Sequence, residues 1–137
     1  MESIAAVPIG RVRSPLTDPE AAPKQGDEGA PEATIVIAAE YAEALEGIVA
    51  GDAVFVLTWL DRGDRGVLRV HPRSDHDRAE VGVFATRSPD RPNPIGLHRV
   101  EVVAVDGDAI RVRDLEAIDG TPVLDLKPVL SADPDER

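Results

Sequence analysis

The stretch that decides the fold is Ile95-Gly-Leu-His-Arg-Val-Glu-Val-Val-Ala-Val-Asp-Gly-Asp-Ala-Ile-Arg-Val-Arg113. In its first part, up to Val105, valines alternate with charged residues, which is the period of a half-buried strand. Its last five residues alternate in the same way. Between the two parts, Asp106-Gly107 is a strong signal for a tight hairpin turn. The segments 99–105 and 109–113 are therefore predicted to pair as antiparallel strands.

Outward from this hairpin, the chain contains more short apolar segments separated by turn residues. Strands are predicted at 4–12, 34–38, 54–60, 67–70, 82–85 and 123–126. One short helix is predicted near 39–46, where Ala and Glu dominate and Gly47 follows. Seven or eight short strands at this spacing indicate a closed or nearly closed all-β domain, in which 1–137 forms a single unit.

The composition limits the class of protein. A chain of 137 residues can form one domain with its own core, and the absence of cysteine excludes a disulfide scaffold, a cysteine-ligated zinc site and thiol catalysis. No apolar run is long enough to cross a bilayer, and the first ten residues lack the basic start of a signal peptide. The sequence therefore predicts a soluble, cytoplasmic protein that does not contact a membrane.

Charge is distributed unevenly along the chain. The 15 basic and 26 acidic residues give a net charge of −11, which argues against general nucleic-acid binding. Residues 62–99 differ, because they hold eight arginines against five acids. These arginines are Arg62, Arg65, Arg69, Arg73, Arg78, Arg87, Arg91 and Arg99. Two interpretations stay open: an ordinary solvated surface, or a side of the molecule that faces anions, which suit the planar guanidinium.

Several familiar site motifs are absent from the chain. It has no phosphate loop, no G-x-G-x-x-G after a strand and no H-E-x-x-H. The cluster of His71, Asp75, His76 and Asp77 is interpreted as a solvated turn, because its histidines do not share one face of a helix. No metal is therefore expected.

The most unusual segment is the proline-rich stretch 82–97, in which three prolines stiffen the connection between two strands. Gly96 at its end is predicted to allow a close approach of backbone or ligand. A stiff loop is useful where a site has to be held in place. Two interpretations stay open here as well: Arg87 and Arg91 clamp an anion, or they cap carbonyl groups of a structural corner.

Three motifs resemble those of the TsaA-like (TrmO) family and occur in the family's order. They are Ile9-Gly-Arg-Val-Arg-Ser-Pro15, Ala85-Thr-Arg-Ser-Pro-Asp-Arg-Pro-Asn-Pro-Ile-Gly96 and Asp119-Gly-Thr-Pro-Val-Leu-Asp-Leu-Lys-Pro128. The resemblance covers nearly the whole chain, and the second motif is long and unusual in composition. It implies a small β-barrel that works as a homodimer. It also implies that S-adenosylmethionine is used to methylate N6 of the threonylcarbamoyl-adenosine at position 37 of tRNA.

The resemblance also implies where the methyl donor binds. The implied cofactor-binding residues are Lys24, Gln25, Gly26, Asp61, Arg62, Arg87, Leu97, Asp114, Leu115 and Glu116. Arg87 suits the carboxylate of the donor, and Asp114 or Glu116 suits its ribose diol or its ammonium group. Leu97 can cover the adenine. Many relatives carry a histidine where this chain has Asp61.

Methylation of N6 requires that its proton leaves, so a base is needed near the acceptor. Asp61 and Asp119 are the candidates for this catalytic role. Two other functions stay open. The same barrel could methylate a small metabolite, which the acidic net charge favours, or it could be a dimer that binds S-adenosylmethionine without catalysis.

Overall fold

The protein is built from strands and short 3₁₀ helices in a computed structural model, which describes residues 1–17 and 32–130. The strands are β1 (Gly10–Arg13), β2 (Ala33–Ile37), β3 (Ala53–Trp59), β4 (Arg69–Val70), β5 (Val81–Gly82), β6 (Ile95–Asp106), β7 (Ala109–Arg113) and β8 (Pro122–Pro128). The 3₁₀ helices are Ala39–Leu45, Pro72–Ser74 and Val83–Ala85. No helix within this described part is long and apolar enough to span a membrane.

Six of the strands close into an antiparallel barrel in the order β1-β2-β7-β6-β3-β8, while β4 and β5 form a separate two-stranded ribbon. The predicted all-β class, the mostly antiparallel small β-barrel and the short helix near 39–46 are confirmed. The seven residues of that helix adopt the tighter 3₁₀ form, and Leu45 at its end packs in the core.

The central hairpin pairs as predicted, with Asp106 opposite Ala109 in an antiparallel register. The turn lies one residue later than expected, because β6 extends through Asp106 and Gly107 takes the positive φ of 64°. The register shifts between Val102 and Ala104. Such a bulge adds one residue to the longer strand and increases its twist.

Three predicted strands differ from the structure. The segment 4–12 forms a strand only from Gly10 onward, and 67–70 forms one only at its last two residues. The prediction for 82–85 is wrong, because the chain turns after Gly82 into a 3₁₀ helix. The backbone N–H and the hydroxyl of Thr86 close this turn by donating to the carbonyl oxygen of Val83 at 3.0 and 2.9 Å. Apolar periodicity does not distinguish such a short closed turn from a short strand.

Apolar side chains from every barrel strand and from the segment after β7 fill the interior. The core includes Val12, Ile35, Val56, Val100, Val102, Ile110, Val112, Leu115 and Val123. On β6 the alternation places Gly96, His98, Val100 and Val102 on the buried side. Two buried polar residues, Thr58 and His98, therefore join the interior near one end of the barrel.

Candidate functional site

Three long connections meet at one end of the barrel. Strands β1, β3 and β7 run toward this end, and β2, β6 and β8 start from it, as their antiparallel registers require. The connections are 14–32, 60–94 and 114–121, and we call this the loop end. The predicted site residues that it carries are Asp61, Arg62, Arg87, Leu97, Asp114, Leu115, Glu116 and Asp119. Lys24, Gln25 and Gly26 belong to the first connection but lie outside the described residues.

The two ends of connection 60–94 are held together by one arginine. Arg65 donates from Nε to the carbonyl oxygen of Pro92 at 2.6 Å and from Nη2 to Oδ1 of Asn93 at 3.0 Å. Its guanidinium also lies 5.4 Å from the centre of the Trp59 ring, a distance typical of a cation–π contact. The proline-rich segment therefore forms a braced wall of the loop end.

The two arginines of this proline-rich segment have different roles. Arg91 donates from Nη1 to the carbonyl oxygens of Thr86 and Ser88 at 2.8 and 3.1 Å, so it caps a structural corner. Arg87 is exposed, and no partner for its side chain exists among residues 1–17 and 32–130. Of the two interpretations of this segment, capping of carbonyl groups therefore applies to Arg91 and anion binding to Arg87. Arg91 stabilises the loop, and Arg87 is the one that can bind an anion.

The two candidate bases also differ. The Oδ1 atom of Asp119 accepts the backbone N–H of Ser14 at 3.0 Å, and the N–H of Asp119 donates to the carbonyl oxygen of Leu16 at 2.6 Å. Asp119 therefore holds the start of connection 14–32. Asp61 is exposed, and its carboxylate has no partner within the described part of the chain.

The three predicted cofactor residues after β7 lie in different environments. Asp114 is half-buried with a positive φ of 71°, and its carboxylate is unpaired among the residues that the structure describes. Leu115 is completely buried in the core of the single chain, and its role in cofactor binding stays a prediction. Glu116 turns back toward the barrel interior, where its carboxylate meets His98.

Leu97 lies on the outer face of the barrel wall, opposite Leu57 on β3, and is 40% exposed. The adjacent cross-strand pair, Trp59 and Ile95, lies on the same outer face. We call these four residues the outer patch. Neighbouring residues of β6 point to opposite faces of the barrel wall, so Leu97 points outward and His98 points inward. Glu116, which contacts His98, therefore lies on the inner side of the wall.

Three polar side chains form a chain inside the loop end, which we call the polar triad. Sequence reasoning named Glu116 and missed the other two, Thr58 and His98. The Oγ1 atom of Thr58 lies 2.7 Å from Nε2 of His98, and Nδ1 of the same ring lies 2.5 Å from Oε1 of Glu116. Thr58 is completely buried, whereas the side chain of Glu116 is 18% exposed. The sequence did contain a signal for this site. The alternation along this strand predicts that position 98 points into the barrel, and a buried histidine needs hydrogen-bond partners.

Part of the arginine-rich segment is neutralised locally. Arg69 pairs with Glu80 at 3.1 Å, and Arg78 lies 3.7 Å from Asp75. Within residues 62–99, the exposed arginines without a partner among the described residues are Arg62, Arg87 and Arg99. The interpretation of residues 62–99 as a side that faces anions therefore depends on these three side chains.

The histidine cluster of the same segment is a turn. The rings of His71 and His76 lie 4.6 Å apart, and Nδ1 of His71 donates to the carbonyl oxygen of Arg78 at 2.9 Å. Within residues 1–17 and 32–130, no group of three or more His, Cys, Asp or Glu side chains is arranged to hold a metal ion.

Together these features define a class of protein: a small antiparallel β-barrel whose polar site is built from the long connections at one end. The chain belongs to the family of the tRNA-methyltransferase O N-terminal domain, which matches residues 11–133. It is also similar to TrmO from Pseudomonas aeruginosa, whose crystal structure matches with a TM-score of 0.78 and 30% identity over 99% of this chain. The chain spans 61% of that TrmO chain.

Archaeal proteins show higher sequence identity. A probable S-adenosyl-L-methionine-binding protein of Methanothermobacter thermautotrophicus is 47% identical over 88% of this chain and 86% of its own length. An S-adenosyl-L-methionine-binding protein of Archaeoglobus fulgidus is 45% identical over 88% and 85%. In a second A. fulgidus protein, a probable binder of the same compound with 46% identity, the chain spans 33% of the length. The cofactor predicted from the sequence is thus the compound for which these relatives are named.

Proposed function

We propose that this chain is an S-adenosylmethionine-dependent methyltransferase that acts on N6 of threonylcarbamoyl-adenosine at position 37 of tRNA. The observation that carries the proposal is the exposed guanidinium of Arg87, which has no partner among the described residues and lies at the same end of the barrel as the carboxylates of Asp61, Asp114 and Glu116. Membership of the family and the relatives named for S-adenosylmethionine support the same reaction.

The side chains of the loop end fit the chemistry of S-adenosylmethionine. Its carboxylate matches the free guanidinium of Arg87. Its ammonium and ribose hydroxyls are donors and match carboxylates, which only accept, at Asp114 and Glu116. Leu97 offers apolar cover for the adenine. The family resemblance adds Lys24, Gln25, Gly26 and Arg62 from the neighbouring connections. When bound, the compound supplies an electrophilic methyl group.

Transfer of a methyl group to nitrogen is an in-line displacement, so the protein contributes mainly by positioning the two reactants and excluding water. The proton on N6 also has to leave, and the carbonyl substituent on that nitrogen already acidifies it, so one carboxylate suffices. Asp61 is the stronger candidate for this base, because its carboxylate is unpaired among the described residues whereas that of Asp119 holds Ser14.

A second copy of the chain completes the proposed site as a homodimer. The outer patch presents apolar side chains on two paired strands, and such surfaces are stabilised when another surface covers them. Leu97 reaches a cofactor only where the outer wall is part of the site, as it is when a second copy packs there. We expect sedimentation equilibrium to give a dimer for the wild type and a monomer for Leu97→Asp. A wild-type monomer at high concentration would contradict this arrangement.

The proposed tRNA surface extends from connection 60–94 onto the outer wall of β6. Arg62, Arg87 and Arg99 are exposed and can contact phosphates. Phe84, which is 79% exposed, offers a ring on which an unpaired base of an RNA loop can stack. A homodimer doubles both features.

A small-molecule acceptor is the alternative function. The net charge of −11 favours it, because the chain as a whole repels phosphates. A dimer that binds S-adenosylmethionine without transferring its methyl group is the remaining alternative, since the relatives above are named for binding alone.

A transfer assay separates these functions. The donor carries a labelled methyl group, and the acceptor is tRNA that either carries or lacks threonylcarbamoyl-adenosine, with mass spectrometry of the nucleosides as readout. We expect label only on the modified tRNA, with kcat lowered about a hundredfold or more in Asp61→Asn. The matched Asp119→Asn should retain most of the wild-type kcat. Cofactor binding without labelled tRNA would favour the small-molecule acceptor or the binding-only dimer.

A further inference from the structure

The polar triad is an unusual element inside an apolar barrel. Thr58 is completely buried and the side chain of His98 is 5% exposed, close to core residues such as Val56 and Val100 on the same two strands. A buried polar group is tolerated when its hydrogen bonds are satisfied. Here both ring nitrogens of His98 have a partner, so the imidazole is held in one orientation.

The partners also determine the direction of the hydrogen bonds. An ionised carboxylate only accepts, so Nδ1 of His98 carries the proton that bonds to Oε1 of Glu116. In the neutral ring Nε2 is then an acceptor, and the hydroxyl of Thr58 donates to it. This leaves the second carboxylate oxygen of Glu116 without a partner among the described residues, on a side chain that is partly exposed.

The triad connects two neighbouring barrel strands to the last connection of the loop end. Thr58 is the last residue but one of β3, His98 is the fourth residue of β6, and Glu116 lies in the connection after β7. Gly96 makes the contact possible, because a Cβ atom there would lie 2.4 Å from Oγ1 of Thr58 and 2.7 Å from Nε2 of His98. The glycine of the proline-rich motif therefore serves this triad.

The order hydroxyl, imidazole, carboxylate is that of a hydrolase triad, but its accessible end is reversed. In hydrolases the hydroxyl attacks the substrate and the carboxylate is buried. Here Thr58 has no exposed surface and cannot reach a substrate, whereas Glu116 is the member that meets the solvent. The arrangement thus supports the carboxylate rather than activating a nucleophile.

We propose that His98 and Thr58 are positioning residues, which orient Glu116 so that its free oxygen accepts a donor group of S-adenosylmethionine. This inference rests on the proposed function, because it assigns a support to one of its cofactor-binding residues. Groups that hold a ligand-binding side chain in place typically contribute tenfold or more to affinity. The group that Glu116 recognises is a positively charged or hydroxyl donor, either the ammonium or the ribose diol.

The test measures the Kd for S-adenosylmethionine by calorimetry and Tm by thermal unfolding, without any acceptor. We expect His98→Leu to weaken binding about tenfold and Thr58→Val about threefold. His98→Asn should retain most of the affinity, because its amide can replace Nδ1–H. The matched control is Val100→Ala, which opens the core beside His98; it should lower Tm and leave Kd unchanged.

Two results would overturn the inference. One is an unchanged Kd in both His98→Leu and Thr58→Val. The other is an equal change of Kd in Val100→Ala and His98→Leu when both variants lose the same amount of Tm. Such a result would make the role of His98 purely structural. If His98→Leu does not fold, the Kd values of Thr58→Val and His98→Asn still test the positioning role. Failure of the folded wild type to bind the cofactor would overturn the proposed function too, whereas binding without any transfer to tRNA leaves the positioning role intact.

A second ligand identifies the recognised group. 5′-Methylthioadenosine keeps the ribose diol of the cofactor but lacks its ammonium and carboxylate. Equal weakening of both ligands in His98→Leu assigns Glu116 to the diol, and weakening of S-adenosylmethionine alone assigns it to the ammonium. Either pattern supports the positioning role.

Discussion

The two ends of the barrel are built in different ways. At the loop end, side chains such as Arg65, Asp119 and His98 join segments that are distant in the sequence. The opposite end is closed by the two-residue turn after β6 and by the segment 38–52, which contains four acids and no Lys or Arg. The loop end carries the predicted site residues that the structure describes, and loops held in place by a rigid scaffold are common positions for functional groups. We therefore place the function at the loop end.

The largest expected effect comes from a glycine substitution at each end. Gly96→Ala places a Cβ atom against two triad members, and we expect it to lower the free energy of unfolding by about 3 kcal/mol. It should also abolish cofactor binding. Gly107→Ala meets no atom within 4 Å but requires a non-glycine residue at a φ of 64°, which costs about 1–2 kcal/mol. Urea unfolding followed by fluorescence of Trp59 measures both. Equal losses in the two variants would contradict the close packing at Gly96.

The next effect concerns the two arginines of the proline-rich segment. Arg87→Ala removes an exposed guanidinium, and we expect S-adenosylmethionine to bind tenfold to a hundredfold more weakly, equivalent to about 1.5–3 kcal/mol. Tm should not change, because no described residue pairs with Arg87. Arg91→Ala should show the reverse: a lower Tm, since two carbonyl groups lose their donor, with a smaller change in Kd. Calorimetry of both variants checks this, and an unchanged Kd in Arg87→Ala would remove Arg87 from the site.

A smaller effect is expected from two matched aspartates. Asp119 at the loop end and Asp52 at the opposite end each accept one backbone N–H, that of Ser14 and of Val49 respectively, at 3.0 Å. We expect Asp119→Ala and Asp52→Ala each to lower the free energy of unfolding by about 1 kcal/mol. Only Asp119→Ala should also weaken cofactor binding, because it loosens connection 14–32, to which Lys24, Gln25 and Gly26 belong. A Kd change in Asp52→Ala would show that the two ends are not independent.

The smallest effect per residue is expected for tRNA binding. Each phosphate contact contributes about −0.7 to −0.9 to the slope of log affinity against log salt. We expect Arg62→Glu and Arg99→Glu each to reduce the slope by about one such contact. Arg99→Glu, which lies outside the proposed cofactor site, should leave Kd for S-adenosylmethionine unchanged. Glu43→Lys makes a charge change of the same size in the segment 38–52, at the opposite end, and should have no effect on the slope. Salt-independent tRNA binding in the wild type would contradict the RNA surface and favour a small acceptor.

Much of the barrel could be predicted because the sequence patterns that specify its strands and turns are local. The alternation on both sides of Asp106-Gly107 and the Ala/Glu-rich segment before Gly47 depend only on neighbouring residues, and both predictions are confirmed. The strand prediction for 82–85 failed since a short apolar run fits a closed turn equally well. The candidate site residues were located by family resemblance, and their common position follows from which ends of the strands they adjoin.

The sequence by itself determined the strand pairing of the hairpin, the stiffness of the proline-rich segment and the set of charged residues near it. Only the tertiary structure decided which of those charges are engaged and which are free. Arg87 and Arg91 look alike in sequence, but Arg91 alone is folded onto carbonyl groups. Thr58, His98 and Glu116 meet across separations of 40 and 18 residues, which closure of the barrel supplies and no local pattern encodes.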